Sequence, residues 1–409
     1  MPNAASGSTD EGAYLRKQKG RSTMTWVGVI VVVIVIIAVL GAGFYAGWFG
    51  KSSTSTSGGS GYTPPCASLT AAGSTFVYPL MAVWTTSYAG MACNANAGFS
   101  QVQVNYQAVG SGAGITDLTD KLVDVGASDA PLSSAQISAL PAQTVTMPDS
   151  AGAVTIIYNI PKVTTGLNLT GPIVAAIYLG DITNWNNSAI TAINPGVSIP
   201  SQAITVEHRS DGSGTTFAFS SYLSAENSTW KNSVGAATSL NWPTGQGQKG
   251  SEGVAGAVAS TTGSIGYDEL NYAEEEGVNV GIAKVLNPAG SYIMPTVADT
   301  ASAVAAVTSF PAPTGNWTGF SIINEPGAGT YPIATLTYLM IYEDLGSAYS
   351  GSVTQAQAQA LVSFLWWITH TGQQSATGLF YVPLPSAITA VDETAINEIV
   401  YNGAALTSH

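Results

Sequence analysis

Apolar and polar positions follow two different patterns along this chain. Residues 26–49, WVGVIVVVIVIIAVLGAGFYAGWF, carry no charge at all. As a helix this run reaches roughly 36 Å, enough to cross a hydrocarbon layer of about 30 Å with some tilt. Trp26 at one end and Tyr45, Trp48 and Phe49 at the other suit the two membrane interfaces. Beyond residue 61 the apolar runs become short. VQVNYQAV (102–109), AVTIIYNI (153–160) and TLTYLMIY (335–342) read as strands. Residues 78–89, 112–122 and 355–370 read as helices, the last with an apolar stripe of Leu361, Phe364, Leu365 and Ile368. Strand and helix in alternation point to α/β layers. Pro and Gly make 308–329 a loop.

The bases Arg16, Lys17, Lys19 and Arg21 precede the long apolar run and place the N-terminus in the cytoplasm. The expected order is a cytoplasmic tail (1–25), one transmembrane helix (26–49), a Ser/Gly-rich linker (50–66) and an extracellular domain. Within the linker, KSSTSTSGGSG (51–61) is a flexible tether. A cleaved signal peptide fits less well, because the run exceeds the usual h-region and no clear A-x-A site follows. A pilin-type cut after Gly20 would leave the helix in place.

Charge then narrows the function classes. Only 11 basic and 24 acidic residues occur among 409, or 9%, against about 25% in ordinary soluble domains. With 45% hydrophobic residues the chain is not disordered. A net charge of −13 excludes a basic nucleic-acid binder. The length allows two or three domains. After residue 51, six bases (Lys121, Lys162, Arg209, Lys231, Lys249 and Lys284) face 22 acids, a net charge of −16. Arg209 is the single arginine of that region. A surface so poor in charge also suits an acidic medium, where carboxylates are neutralised.

Cys66 and Cys93 are the two cysteines, both extracellular on this topology. They form either one disulfide or two buried thiols, and without nearby histidines they make no metal site. Sequons begin at Asn168, Asn186, Asn227 and Asn316.

Four Gly/Ser/Thr loops sit at strand-to-helix junctions: AAGSTF (71–76), VGSGAG (109–114), VGASDAP (125–131) and EHRSDGSGTTF (207–217). A helix N-terminus offers unpaired N–H donors and the positive end of a dipole, so it attracts anions. Hydroxyls add donors without full charge. Each loop alone is also an ordinary helix-capping signature. The fourth stands apart because it holds Arg209, whose planar fork grips oxyanions in a bidentate way.

AGSTF, VNYQAVGSGAG, DVGASDAPL, HRSDGSGTT and GSIGYDE, in this order and spacing, resemble the phosphate-binding component of phosphate ABC transporters, over residues 67–409. The resemblance implies a two-lobed, periplasmic-binding-protein-like (type II) α/β fold with a hinge, and an anion buried in the cleft. Lobe one would be 67–155 plus 331–409 and lobe two 156–330, with crossings at 157–161 and 331–333. It also implies a site. Thr75 hydroxyl and Phe76 N–H would donate, as would Ser111, and as would Ser213, Gly214 and Thr215 at a helix start. Arg209 would pair with the oxyanion and Asp211 would hold the guanidinium. Asp129 would accept a proton from the ligand. Phosphate keeps a proton across the physiological range and sulfate keeps none, so a buried Asp129 carboxylate favours phosphate. The first loop departs from the usual GAGATF or GAGSTF, and His208 precedes Arg209, where it could add charge at low pH.

The resemblance further implies a monomer that delivers inorganic phosphate to an ABC-transporter permease, with no cofactor, no metal and no nucleic acid. Receptors for arsenate, phosphonate or molybdate, and a surface or sensory protein keeping the fold, are the alternatives. An enzyme is disfavoured. No G-x-S-x-G is present, GQGQKGS (245–251) misses the P-loop spacing, and nothing places His208 or His370 beside a serine.

Overall fold

The structure, a computed structural model, describes residues 62–407. The apolar run at 26–49 and the tether at 51–61 lie outside the described residues. Among the described residues no helix is long and apolar enough to cross a membrane.

The first half of the domain alternates strand and helix: β1 (Ser68–Gly73), α1 (Tyr78–Ala89), β2 (Gln103–Gln107), α2 (Ser111–Thr119), β3 (Val125–Ser128), α3 (Ser134–Ala139) and β4 (Thr144–Tyr158). There follow β5 (Asn168–Leu169), α4 (Gly171–Leu179), α5 (Ser188–Ala192), β6 (Thr205–Arg209), α6 (Gly214–Glu226), α7 (Ser228–Ser233), β7 (Gln246–Gln248), α8 (Gly250–Ser260), β8 (Ser264–Glu269) and α9 (Leu270–Glu276). The chain closes with β9 (Gly281–Ile282), β10 (Lys284–Leu286), β11 (Tyr292–Ile293), α10 (Val297–Ala306), β12 (Ala334–Tyr342), α11 (Leu345–Ala348), α12 (Gln355–Thr369), α13 (Ser386–Glu398), β13 (Val400–Tyr401) and β14 (Ala404–Ala405). Among the described residues, 308–329 forms neither helix nor strand.

The main sheet runs β2-β1-β3-β12-β4-β8-β6-β7, with β9 also on β4. This is a two-lobed α/β fold of the periplasmic-binding-protein kind, and β4 is its spine. Residues 144–153 of β4 pair with β12, whereas Val154–Tyr158 pair with β8. The partner changes inside one continuous strand, a few residues before the crossing expected at 157–161. Tyr331, at the expected return crossing of 331–333, is tied to it, its hydroxyl donating to the Val154 carbonyl at 2.9 Å.

β4 begins nine residues before the 153–160 strand read from the sequence, through MPDSAG, which is poor in strand-forming residues. Pro148 has no N–H to give a ladder. The strand absorbs it in a bulge. Thr337 faces Ser150 and Tyr338 faces Pro148, so Asp149 is left over between them. The strand is buried nearly throughout, which holds it extended against weak local propensity.

Local signals set the helices. Pro79 opens α1, which buries Leu80, Met81, Trp84 and Tyr88. A reciprocal Thr354–Gln357 capping box starts α12. Cys66 and Cys93 are joined in a disulfide with Cα atoms 5.1 Å apart. Of the four sequon asparagines, Asn186 and Asn316 are exposed. Asn168 is half-buried and donates its amide to the Ile193 carbonyl at 3.0 Å, and the Asn227 side chain caps α7.

Candidate functional site

Four loops converge where β1, β3 and β6 end and α2, α6 and α8 begin. Glycine allows them to approach. A Cβ on Gly214 would lie 2.5 Å from the Asp129 nitrogen, and one on Gly112 would lie 3.0 Å from the Gly212 Cα. Side chains there would hold the two halves apart. Gly112 N–H donates to the Gly212 carbonyl at 2.9 Å across this contact.

Arg209 ends β6 and is 4% exposed. Asp211 holds it in a fork, Nε to Oδ1 at 2.8 Å and Nη2 to Oδ2 at 2.5 Å. The Gly250 N–H at the start of α8 also donates to Asp211 Oδ1, at 3.1 Å. Burial alone would raise the Asp211 pKa, but the Arg209 bonds and charge hold it below the ordinary carboxylate range. Nη1 of Arg209 reaches the Ser251 hydroxyl at 3.4 Å. The guanidinium is thus aimed by its neighbours rather than free to swing.

Asp129 lies opposite, 2% exposed, just beyond β3. Its Oδ1 accepts from the Ser74 hydroxyl and its Oδ2 from the Thr215 hydroxyl at 3.3 Å. Burial raises its pKa to about 6, opposed by the Ser74 bond and the Arg209 charge. Asp129 is therefore mostly ionised at neutral pH and protonated in acid. Ser213 caps α6 by accepting from the Thr216 N–H at 3.1 Å. The Gly214 N–H donates to the Ser111 hydroxyl at 3.0 Å.

All eight expected ligand residues (Thr75, Phe76, Ser111, Asp129, Arg209, Ser213, Gly214 and Thr215) lie in this region, each at least nine-tenths buried. Several of their polar groups bond one another across the cleft. An anion entering it would exchange those bonds for its own, keeping a buried polar site satisfied in both states. His208 plays a different part from the one its neighbour suggested. Its ring stacks on Trp242 with centroids 4.6 Å apart, and burial pushes its pKa down.

Comparison with known proteins fits this geometry. The profile of the PBP superfamily domain matches residues 53–369. The phosphate-binding protein PstS of Xylella fastidiosa (strain Temecula1) is 37% identical over 332 residues, 79% of this chain and 85% of that protein. PstS of Pasteurella multocida is 36% identical over 327 residues, 80% of this chain and 89% of that one. This chain belongs to the PstS family of phosphate-binding proteins. The family is one of substrate-binding receptors rather than enzymes. Among solved structures, a phosphate-binding protein from Stenotrophomonas maltophilia shares the fold with a TM-score of 0.58 at 19% identity, covering 80% of this chain and 94% of that one. A high-affinity periplasmic phosphate-binding protein (PfluDING), solved with phosphate, gives 0.60 at 21% identity, covering 79% and 92%.

The cleft also contains residues that reading the sequence assigned no role. Ser251 is fully buried, with its hydroxyl 2.9 Å from that of Thr75 and its N–H donating to the same Thr75 oxygen at 3.2 Å. Its signal was present in GQKGS, a Gly-Ser pair opening a helix like the other loops. Tyr267, Asp268 and Glu269 come from GSIGYDE. The Tyr267 hydroxyl accepts from the Arg209 N–H at 3.1 Å. Asp268 is 1% exposed, and burial raises its pKa to about 8 against the pull of Arg209. Tyr272 donates to the Thr75 carbonyl at 2.8 Å, and Tyr381 donates to that of Phe76. These two hydroxyls fix the backbone of the first loop.

Proposed function

We propose that this protein is a membrane-anchored extracellular receptor that encloses inorganic phosphate between its lobes and delivers it to an ABC-transporter permease. Residues 67–155 with 331–409 would form one lobe and 156–330 the other, hinged on β4. The observation that carries the reading is the pairing of a buried, carboxylate-aimed Arg209 with a buried Asp129 on the opposite loop. The arginine and the start of α6 supply attraction for an oxyanion. The carboxylate demands a proton on that oxyanion, which phosphate has and sulfate lacks. Discrimination of roughly a thousandfold is ordinary for sites built around buried polar groups.

In this reading Thr75, Phe76, Ser111, Ser213, Gly214 and Thr215 donate to the ligand and Asp211 positions Arg209. The names of the PstS relatives support phosphate as that ligand. The charge-free run at 26–49 supports the anchor. Calorimetric titration of the purified protein with phosphate, with sulfate and arsenate as competitors, tests it. One phosphate per chain, undisturbed by millimolar sulfate, is expected. No binding at millimolar phosphate overturns the reading, and preferential binding of arsenate reassigns the ligand.

A further inference from the structure

We propose that Lys249 is the capture residue for the incoming anion and marks the mouth by which it enters; this rests on the phosphate-receptor reading above. The buried site itself has no surplus positive charge. Arg209 is matched by Asp211, and Asp129 contributes negative charge at neutral pH. The chain beyond residue 51 has a formal net charge of −16. A cation on its route would raise the local concentration of an approaching anion.

Two openings flank the Arg209–Asp211 pair. One, of ≈ 190 Å3, is lined by Thr75, Tyr78, Asp211, Lys249, Ser251 and Tyr272. It leads from solvent to the Thr75 and Ser251 hydroxyls. Lys249 is exposed there and makes no ion pair among the described residues. The eleven-residue helix α8 begins directly after it, so the helix dipole adds to the lysine's charge. Glu252 also lines this mouth and opposes them in part. The other opening, of ≈ 410 Å3, is lined by Arg209 with its partner Asp211, and by His208, Ser239, Asn241 and Trp242; its arginine is matched by Asp211, and it contains no lysine. Burial disfavours the charged form of His208.

Of the remaining lysines among the described residues, Lys121 lies in a separate cleft beside Glu343 and Asp344, Lys231 sits exposed on α7, and neither Lys231 nor Lys162 nor Lys284 lines either opening. Lys249 is thus the lysine placed to raise the local concentration of phosphate at the mouth, an effect on association rather than on the bound complex.

Stopped-flow mixing of the purified full chain with inorganic phosphate, read by tryptophan emission and paired with calorimetric Kd values, tests this. At low salt, Lys249→Gln should lower kon about threefold and Lys249→Glu about tenfold, with koff little changed. Lys249→Arg should retain the wild-type kon, and Lys231→Gln should match wild type. At about 0.5 M salt the differences should close. If Lys249→Glu binds phosphate with the wild-type kon at low salt, or loses affinity through koff with no salt dependence, the capture role is wrong. If wild-type protein takes up no phosphate, the receptor reading itself falls and the capture role with it.

Discussion

Replacing Asp268 by Asn should make the protein more stable at pH 8 and leave it nearly unchanged at pH 4. Burial raises the Asp268 pKa to about 8 from an ordinary 3.8. A carboxyl with a raised folded-state pKa contributes most to stability below its unfolded pKa, and that contribution disappears as pH rises through the folded pKa. The difference of about 4 units corresponds to an upper limit of about 6 kcal/mol between pH 4 and pH 8. Total stabilities are only about 5–15 kcal/mol, so an effect of a few kcal/mol is the expected scale. Asn keeps the side-chain oxygen that accepts from the Glu269 N–H at 2.9 Å and cannot ionise. Asp129, Asp149, Glu269 and Asp392 are also fully buried with raised pKa values and act in the same direction. Among the described carboxyls with resolved shifts, only Asp211 and Asp344 are lowered and oppose them. Wild-type protein should therefore resist urea better near pH 4 than near pH 8. Urea unfolding of both proteins across that range measures it. Wild-type stability that climbs from pH 4 to pH 8, or an Asp268→Asn effect of equal size at both, would refute the reasoning.

Other outcomes follow from the same geometry. Arg209→Ala should cost at least a hundredfold in phosphate affinity, since it removes the fork and leaves the half-buried Asp211 without its cation; calorimetry with a circular-dichroism check of folding reads it. Asp129→Asn should admit sulfate, and wild-type sulfate affinity should rise as pH falls through about 6, where Asp129 gains its own proton; competition titrations at two pH values decide this. Gly214→Val should weaken phosphate binding more than it lowers stability, because its side chain would strike the Asp129 backbone only where the loops meet. Reduction of Cys66–Cys93, which are 27 positions apart, should lower stability by about 3–4 kcal/mol, read as a shift in the urea midpoint.

Much of the fold was legible because local signals agreed with tertiary ones. The helices α1 and α12 begin at the expected residues, where Pro79 and the Thr354 cap announce them. β12 is apolar enough to be read as a buried strand. β4 was half hidden, because its identity as a 15-residue spine depends on burial against β12 and β8 rather than on propensity in MPDSAG. At the site, the four loops carried their own signature of Gly, Ser and Thr before a helix. Residues that reach the cleft through distant pairing had none. Tyr272 comes from α9 and Tyr381 from 305 positions beyond Phe76, and each looks in sequence like an ordinary core aromatic. The low charge density also acquired a physical content. Asp129, Asp149, Asp268, Glu269 and Asp392 are buried, and among the described lysines and arginines only Arg209 is buried with them. That imbalance predicts a folded state favoured in acid, which the urea series above measures.

The central claim is that one oxyanion bearing a proton binds between Arg209 and Asp129. Isothermal titration of wild-type protein with phosphate, and then with sulfate, at pH 7 is the most direct measurement. One-to-one phosphate binding, with sulfate roughly a thousandfold weaker, is the expected result. Equal affinity for the two anions, or no heat with either at millimolar concentration, would contradict it.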